Sequence, residues 1–101
     1  MKDSIDFINF FKLSIQRALL GNITHNVRAI IAELRQNDIQ LFFYYDGEIQ
    51  ESDKETASEI ESEIIADFDD NCNIDLNIKR LDYPKLINHV NGICVYLRKE
   101  S

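Results

Sequence analysis

The apolar positions change their period along the chain, and each change marks an element. Between about Ser4 and Leu20, Ile8, Phe11, Ile15 and Ala18/Leu19 recur at three- and four-residue spacing, which predicts an amphipathic helix. Phe7, Phe10 and Leu13 widen its apolar arc, so the helix is expected to pack on a sheet with its outer edge open to a second surface. Asp3 or Ser4 suits its N-cap, and Gly21 stands where a left-handed C-terminal residue is wanted. The period then falls to two. Val27 to Leu34 is rich in β-branched and aliphatic residues, and Ile39, Leu41, Phe43 and Tyr45 share one face of a second strand. The polar connection Arg35-Gln36-Asn37-Asp38 makes this pair a hairpin. Phe42 and Tyr44 fall on its other face: either both faces are covered, or one shows aromatics to a partner.

Asp46-Gly47 ends the second strand with turn chemistry. Ser52-Asp53-Lys54-Glu55 reads as a capping box that starts a second helix. At 100° per residue, Ala57, Ile60, Ile64 and Phe68 form its buried stripe, while Glu55, Glu59 and Glu63 lie on the far side. Glu61 falls beside the stripe. It is expected to reach Lys79 or Arg80 or to escape at the stripe's edge, because an unpaired buried carboxylate costs several kcal/mol (roughly). Two more alternating segments follow: Ile74, Leu76 and Ile78, then Ile93, Val95 and Leu97, with Tyr83-Pro84 breaking the chain between them. The order α-β-β-α-β-β predicts one α+β domain over residues 1–101, with a four-stranded, mostly antiparallel sheet and the helices on one face.

Composition supports a single globular domain and adds one asymmetry. The chain has 101 residues, 45% of them apolar, with 18 acids against 11 bases and a net charge of −7. That charge speaks against direct binding of DNA or RNA. Eleven of the acids fall between positions 46 and 70 with one base, Lys54, a balance of −10; the remaining residues sum to +3. Like charges four apart on a helix cost a few tenths of a kcal/mol per pair (roughly), so a face of Glu55, Glu59 and Glu63 suggests an electropositive partner. These three, with Asp46, Glu48, Asp69 and Asp70 at the flanks, are the candidate partner-binding residues.

Chemistry motifs are weak. Asp67 to Ile78 resembles an EF-hand loop but has Cys72 for the glycine and Ile78 for the bidentate Glu. His25, His89, Cys72 and Cys94 lack zinc-site spacing, and Cys72 and Cys94 do not make a disulfide framework. No catalytic constellation and no cofactor is expected. Charged residues interrupt every apolar run long enough for a signal peptide or a membrane span, so a cytoplasmic protein without membrane contact is expected.

Five segments occur in order: Arg17-Ala-Leu-Leu-Gly-Asn-Ile-Thr, Phe43-Tyr-Tyr-Asp-Gly-Glu, Glu63-Ile-Ile-Ala-Asp-Phe, Arg80-Leu-Asp-Tyr-Pro and Val95-Tyr-Leu-Arg-Lys-Glu. As a set they resemble small bacterial immunity proteins of contact-dependent growth inhibition systems, over nearly the whole chain. The resemblance implies a cytoplasmic antidote, not an enzyme, that binds the C-terminal toxin domain of a delivered effector. One branch of such toxins is similar to tRNA-cleaving nucleases that work with elongation factor Tu, which implies a basic, RNA-cleaving partner. A regulatory or housekeeping protein-interaction domain is the alternative from composition.

Overall fold

Helix α1 spans Ile5–Leu19, followed by strands β1 (Val27–Arg35) and β2 (Asp38–Tyr45), helix α2 (Glu51–Ile65), and strands β3 (Asn73–Arg80) and β4 (Ile93–Leu97). This computed structural model describes residues 5–68 and 71–100. The caps expected from Asp3 and Ser4 lie outside the described residues. Gly21 takes a left-handed conformation just beyond α1, at φ 74°.

The strands form one sheet in the order β3-β2-β1-β4. β1 runs antiparallel to both β2 and β4, and β2 pairs with β3 in parallel. The sheet is therefore mixed. The parallel pair follows from α2, which carries the chain back along the sheet so that β3 starts beside the start of β2. Asp38 and Asn73 open that register together.

Both helices bury their predicted faces against one side of this sheet. Phe11, Ile15 and Ala18 of α1 and Ala57, Ile60 and Ile64 of α2 meet Ile39, Leu41, Phe43 and Tyr45 of β2 in a single core. Each large side chain so buried contributes about 2 kcal/mol of transfer free energy. Burial pushes the Tyr45 phenol up to about 12, so it stays neutral in the core. Helix α2 begins one residue before the expected Ser52, with Gln50 as its N-cap. The Asp53 carboxylate, and not Ser52, closes this cap by accepting the Gln50 N–H at 2.9 Å. It also accepts Asn26 Nδ2 at 2.9 Å, which fixes the carboxylate where the helix start needs it.

A bulge separates the alternation expected for β4 from the one observed. The register steps from Ile30↔Tyr96 to Ile31↔Cys94, so Val95 has no opposite residue. Val95 and its neighbour Tyr96 both pack against the core, and Leu97 is left 66% exposed.

A second bulge, between Val27 and Ala29, sets Arg28 apart in the central strand. Its guanidinium is buried, with 3% of the side chain exposed. Nε and Nη2 donate to the two oxygens of Glu100 at 2.7 and 3.0 Å, and Nη1 donates to the Leu81 carbonyl at 2.6 Å. Arg98 joins Glu100 to Asp46, donating to each at 3.0 Å. The two arginines hold the Glu100 carboxyl below its ordinary value of 4.5.

Replacing Glu100 by Gln leaves Arg28 buried without its counter-charge. Since Glu100 itself keeps 19% of its side-chain exposure, the cost should fall near about 2 kcal/mol, below that of a fully enclosed pair. Because the folded carboxyl is the stronger acid, its contribution is complete above the unfolded-state value and disappears as pH falls through the folded-state one. Urea unfolding at pH 7 should show the loss, and the difference between wild type and Glu100→Gln should narrow in acid. Equal midpoints at pH 7 would contradict this account.

Candidate partner-binding site

The acidic segment from 46 to 70 is built from the end of β2, a short loop, α2 and the turn after it. The fold divides its carboxylates into two groups. Asp46 is engaged within the protein: it takes Arg98 Nη2 at 3.0 Å and the Tyr83 N–H at 3.2 Å, with 32% of its side chain exposed. The network that satisfies Arg28 consumes it. Asp53 is buried at the helix cap. Asp67 accepts Ser14 Oγ and Arg17 Nη2, both at 2.7 Å, and so fastens the end of α2 to α1. This also commits the first oxygen of the EF-hand-like stretch to another task. Among the described residues no three His, Cys, Asp or Glu side chains converge as a metal site.

The second group faces water. Burial of Ala57, Ile60 and Ile64 turns Glu55, Glu59 and Glu63 outward, and all three are exposed. Glu48 in the loop and Glu51 in the first helical turn are exposed as well. Among the described residues none of these five forms an ion pair, although other carboxylates of the chain do. Glu51, Glu55, Glu59 and Glu63, four residues apart, thus form an exposed acidic ribbon along α2, with Glu48 exposed in the loop before it. Asp69 and Asp70 lie outside the described residues.

Glu61 finds neither Lys79 nor Arg80. It stays half-buried at the edge of the stripe, where burial first and the charge of Asp75 second raise its pKa above the ordinary carboxylate value. The parallel pairing places Asp75 opposite Gln40, whose Nε2 donates to it at 2.7 Å. A sequence scan of α2 alone contains no sign of this neighbour.

The other face of the hairpin is covered. The connection between β3 and β4, residues 81–92, crosses it as a strap, with Pro84 outside any strand. His89 reaches under the strap to Tyr44 Oη at 2.7 Å from Nδ1 and to Glu33 Oε2 at 2.7 Å from Nε2. Its ring meets Phe42 edge-on, with centroids 4.6 Å apart. Phe42 and Tyr44 are consequently half-buried and not displayed to a partner. Large apolar side chains are left outside elsewhere, among them Leu13 and Leu20 beside a groove of about 650 Å³ between α1 and β4, and Leu86 and Val90 on the strap. Of the first pair, Leu13 belongs to the widened apolar arc of α1, and Leu20 lies just beyond the helix. Nothing periodic in the sequence marks the second.

An exposed row of carboxylates can attract and hold cationic groups. Residues 9–100 match the family model described as MafI2 immunity protein. No curated protein matches the chain.

The position of Glu61 generates a stability test. A carboxyl whose folded pKa is raised binds its proton more tightly when folded, so its ionised form opposes folding at neutral pH. Glu61→Gln should therefore raise the melting temperature at pH 7. The gain should shrink as pH falls and the wild-type carboxyl takes up its proton. A variant less stable than wild type at pH 7 would show that Glu61 has a favourable partner.

Proposed function

The chain belongs to the MafI2 immunity protein family, and from that premise we propose that it neutralises its toxin by binding a basic toxin domain through the acidic ribbon of α2 and the loop before it. The immunity assignment agrees with the expectation from sequence; the family named is MafI2, whereas the sequence segments resemble immunity proteins of contact-dependent growth inhibition. The observation that carries the proposal is the row Glu48, Glu51, Glu55, Glu59 and Glu63, all exposed and, among the described residues, without ion-pair partners. Asp46, Asp53 and Asp67 of the same segment are instead engaged at joints of the fold.

The chemistry favours a nuclease as the neutralised domain. A protein that grips RNA concentrates cations where the phosphates lie, and carboxylates spaced along a helix can occupy that track. In this reading the protein works as a plug or cover and performs no catalysis. Delivery by a contact-dependent effector, and participation of elongation factor Tu in the complex, rest on the sequence resemblance. The working place is the cytoplasm, where a delivered nuclease meets its RNA; among the described residues no helix is long and apolar enough to cross a membrane. Electrostatic steering matters for such a task because the antidote must meet the toxin before the toxin acts.

Reversal of Glu59 and Glu63 to Lys tests the ribbon directly. Both side chains face water, so the fold should survive. Association with the purified cognate toxin domain should slow by about tenfold at low salt, and its salt dependence should flatten. Rates equal to wild type at low and high salt, together with full protection of cells, would remove the ribbon from the interface.

A further inference from the structure

Three phenylalanine rings gather beside the turns that open β2 and β3. Phe7 and Phe10 of α1 face Phe68, in the turn after α2, with ring centroids 5.7 and 5.1 Å from it. With Asn37 of the β1–β2 turn and Asn71 before β3, they line a recess of about 580 Å³ that Asp67 borders. Phe7 and Phe68 are half-buried, while Phe10 is 45% exposed. Phe10 and Phe68 stand edge to face at 81°, an arrangement that covers only one face of one of the two rings.

The recess lies at the end of the acidic ribbon. Four residues carry a helix about 40° beyond a full turn, so Glu51, Glu55, Glu59 and Glu63 wind round α2 as they advance. Two contacts fix the direction of that winding. Glu61, on one flank of the buried stripe, lies within reach of the charge of Asp75 in β3. Asp67, on the other flank, accepts Ser14 Oγ and Arg17 Nη2 of α1. Glu63 is on the Asp67 flank, four residues and about 6 Å before it, and Phe68 follows Asp67 directly. The ribbon therefore turns from the outer arc of α2 onto the side of α1 and ends beside the three rings.

The charge at this end favours a cation. No base stands in the last turn of α2, so its side chains leave the negative end of the helix dipole uncompensated. Among the described residues no base lines the recess. Arg17 pairs with Asp67 from outside it, so the ring faces and the helix end, more than that carboxylate, set the preference. An aromatic face attracts a cation, and the planar guanidinium can stack on it while its donors reach carbonyl and carboxylate oxygens. We propose that the recess takes an arginine side chain of the toxin domain, seated against Phe10 and Phe68 beside the basic surface that meets Glu59 and Glu63. This rests on the toxin-binding reading above. The ribbon sets the rate of encounter, and the seated arginine sets how long the complex lasts.

The experiment compares wild type, Phe10→Leu and Phe10→Trp as complexes with the purified cognate toxin domain. Leucine keeps apolar bulk without a ring, and tryptophan offers a stronger ring face. The chain has no tryptophan of its own, so Phe10→Trp also reports on the recess by its fluorescence. Position 10 is 45% exposed, so both variants should fold, which their melting curves check. Phe10→Leu should speed dissociation by about fivefold, and Phe10→Trp should dissociate no faster than wild type. The emission of Phe10→Trp should change when the toxin domain binds. If Phe10→Leu leaves at the wild-type rate, if both variants leave equally fast, or if binding does not alter the emission, no cation sits on the ring and the immunity reading stands without this contact. If wild type fails to bind the toxin domain, that reading fails and takes the recess with it.

Discussion

A guanidinium cannot remain in a protein interior without a carboxylate and acceptors around it, and Arg28 places this demand at the centre of the sheet. It sits in a bulge of the central strand, buried. Its needs are met by parts distant in sequence: Glu100 near the C-terminus, the Leu81 carbonyl at the start of the strap, and the Tyr83 ring, whose centroid is 5.7 Å from the guanidinium carbon. Arg98 then ties Glu100 to Asp46. One buried charge thereby brings together the end of β2, the exit from β3 and the residues after β4. The strap path and the approach to α2 both begin at this knot.

The knot also explains why the acidic segment is not uniform. Carboxylates close to it or to the helix joints are held by arginines, amides and a serine, as Asp46, Asp53 and Asp67 show. Those on the outer arc of α2 form no ion pair among the described residues and repel one another along the helix. Such a face is tolerated because each pair costs only a few tenths of a kcal/mol (roughly) in water, while the core beneath it supplies about 2 kcal/mol for each large buried side chain. The packing of the core lets an electrostatically unsatisfied face persist in solvent.

The two sides of the sheet are covered by different means. Hydrophobic packing of α1 and α2 closes one side. On the other, a strap without regular structure rests on polar contacts at its ends, with His89 spanning Tyr44 and Glu33. Polar contacts are directional, so they define the path of a loop where apolar contact alone would leave it free to slide. That difference is why a stretch of irregular backbone can keep its path over Phe42 and Tyr44.

What the sequence determined by itself was whatever depends on near neighbours. The three- and four-residue spacing of Phe11, Ile15 and Ala18 and the alternation of Ile39, Leu41, Phe43 and Tyr45 located the elements. The phase of Ala57, Ile60 and Ile64 alone was enough to turn Glu55, Glu59 and Glu63 to water. The charge concentration was equally legible because it is a count along the chain. Tertiary structure decided the rest: the parallel pairing of β2 with β3, the bulge at Val95 that exposes Leu97, the withdrawal of Asp46 into the arginine network, Asp75 beside Glu61, and the cover over Phe42 and Tyr44. Each of these depends on groups tens of residues apart being brought within a few ångströms. Periodicity records which face of an element is apolar; it carries no information about which distant charge or strand will lie against that face.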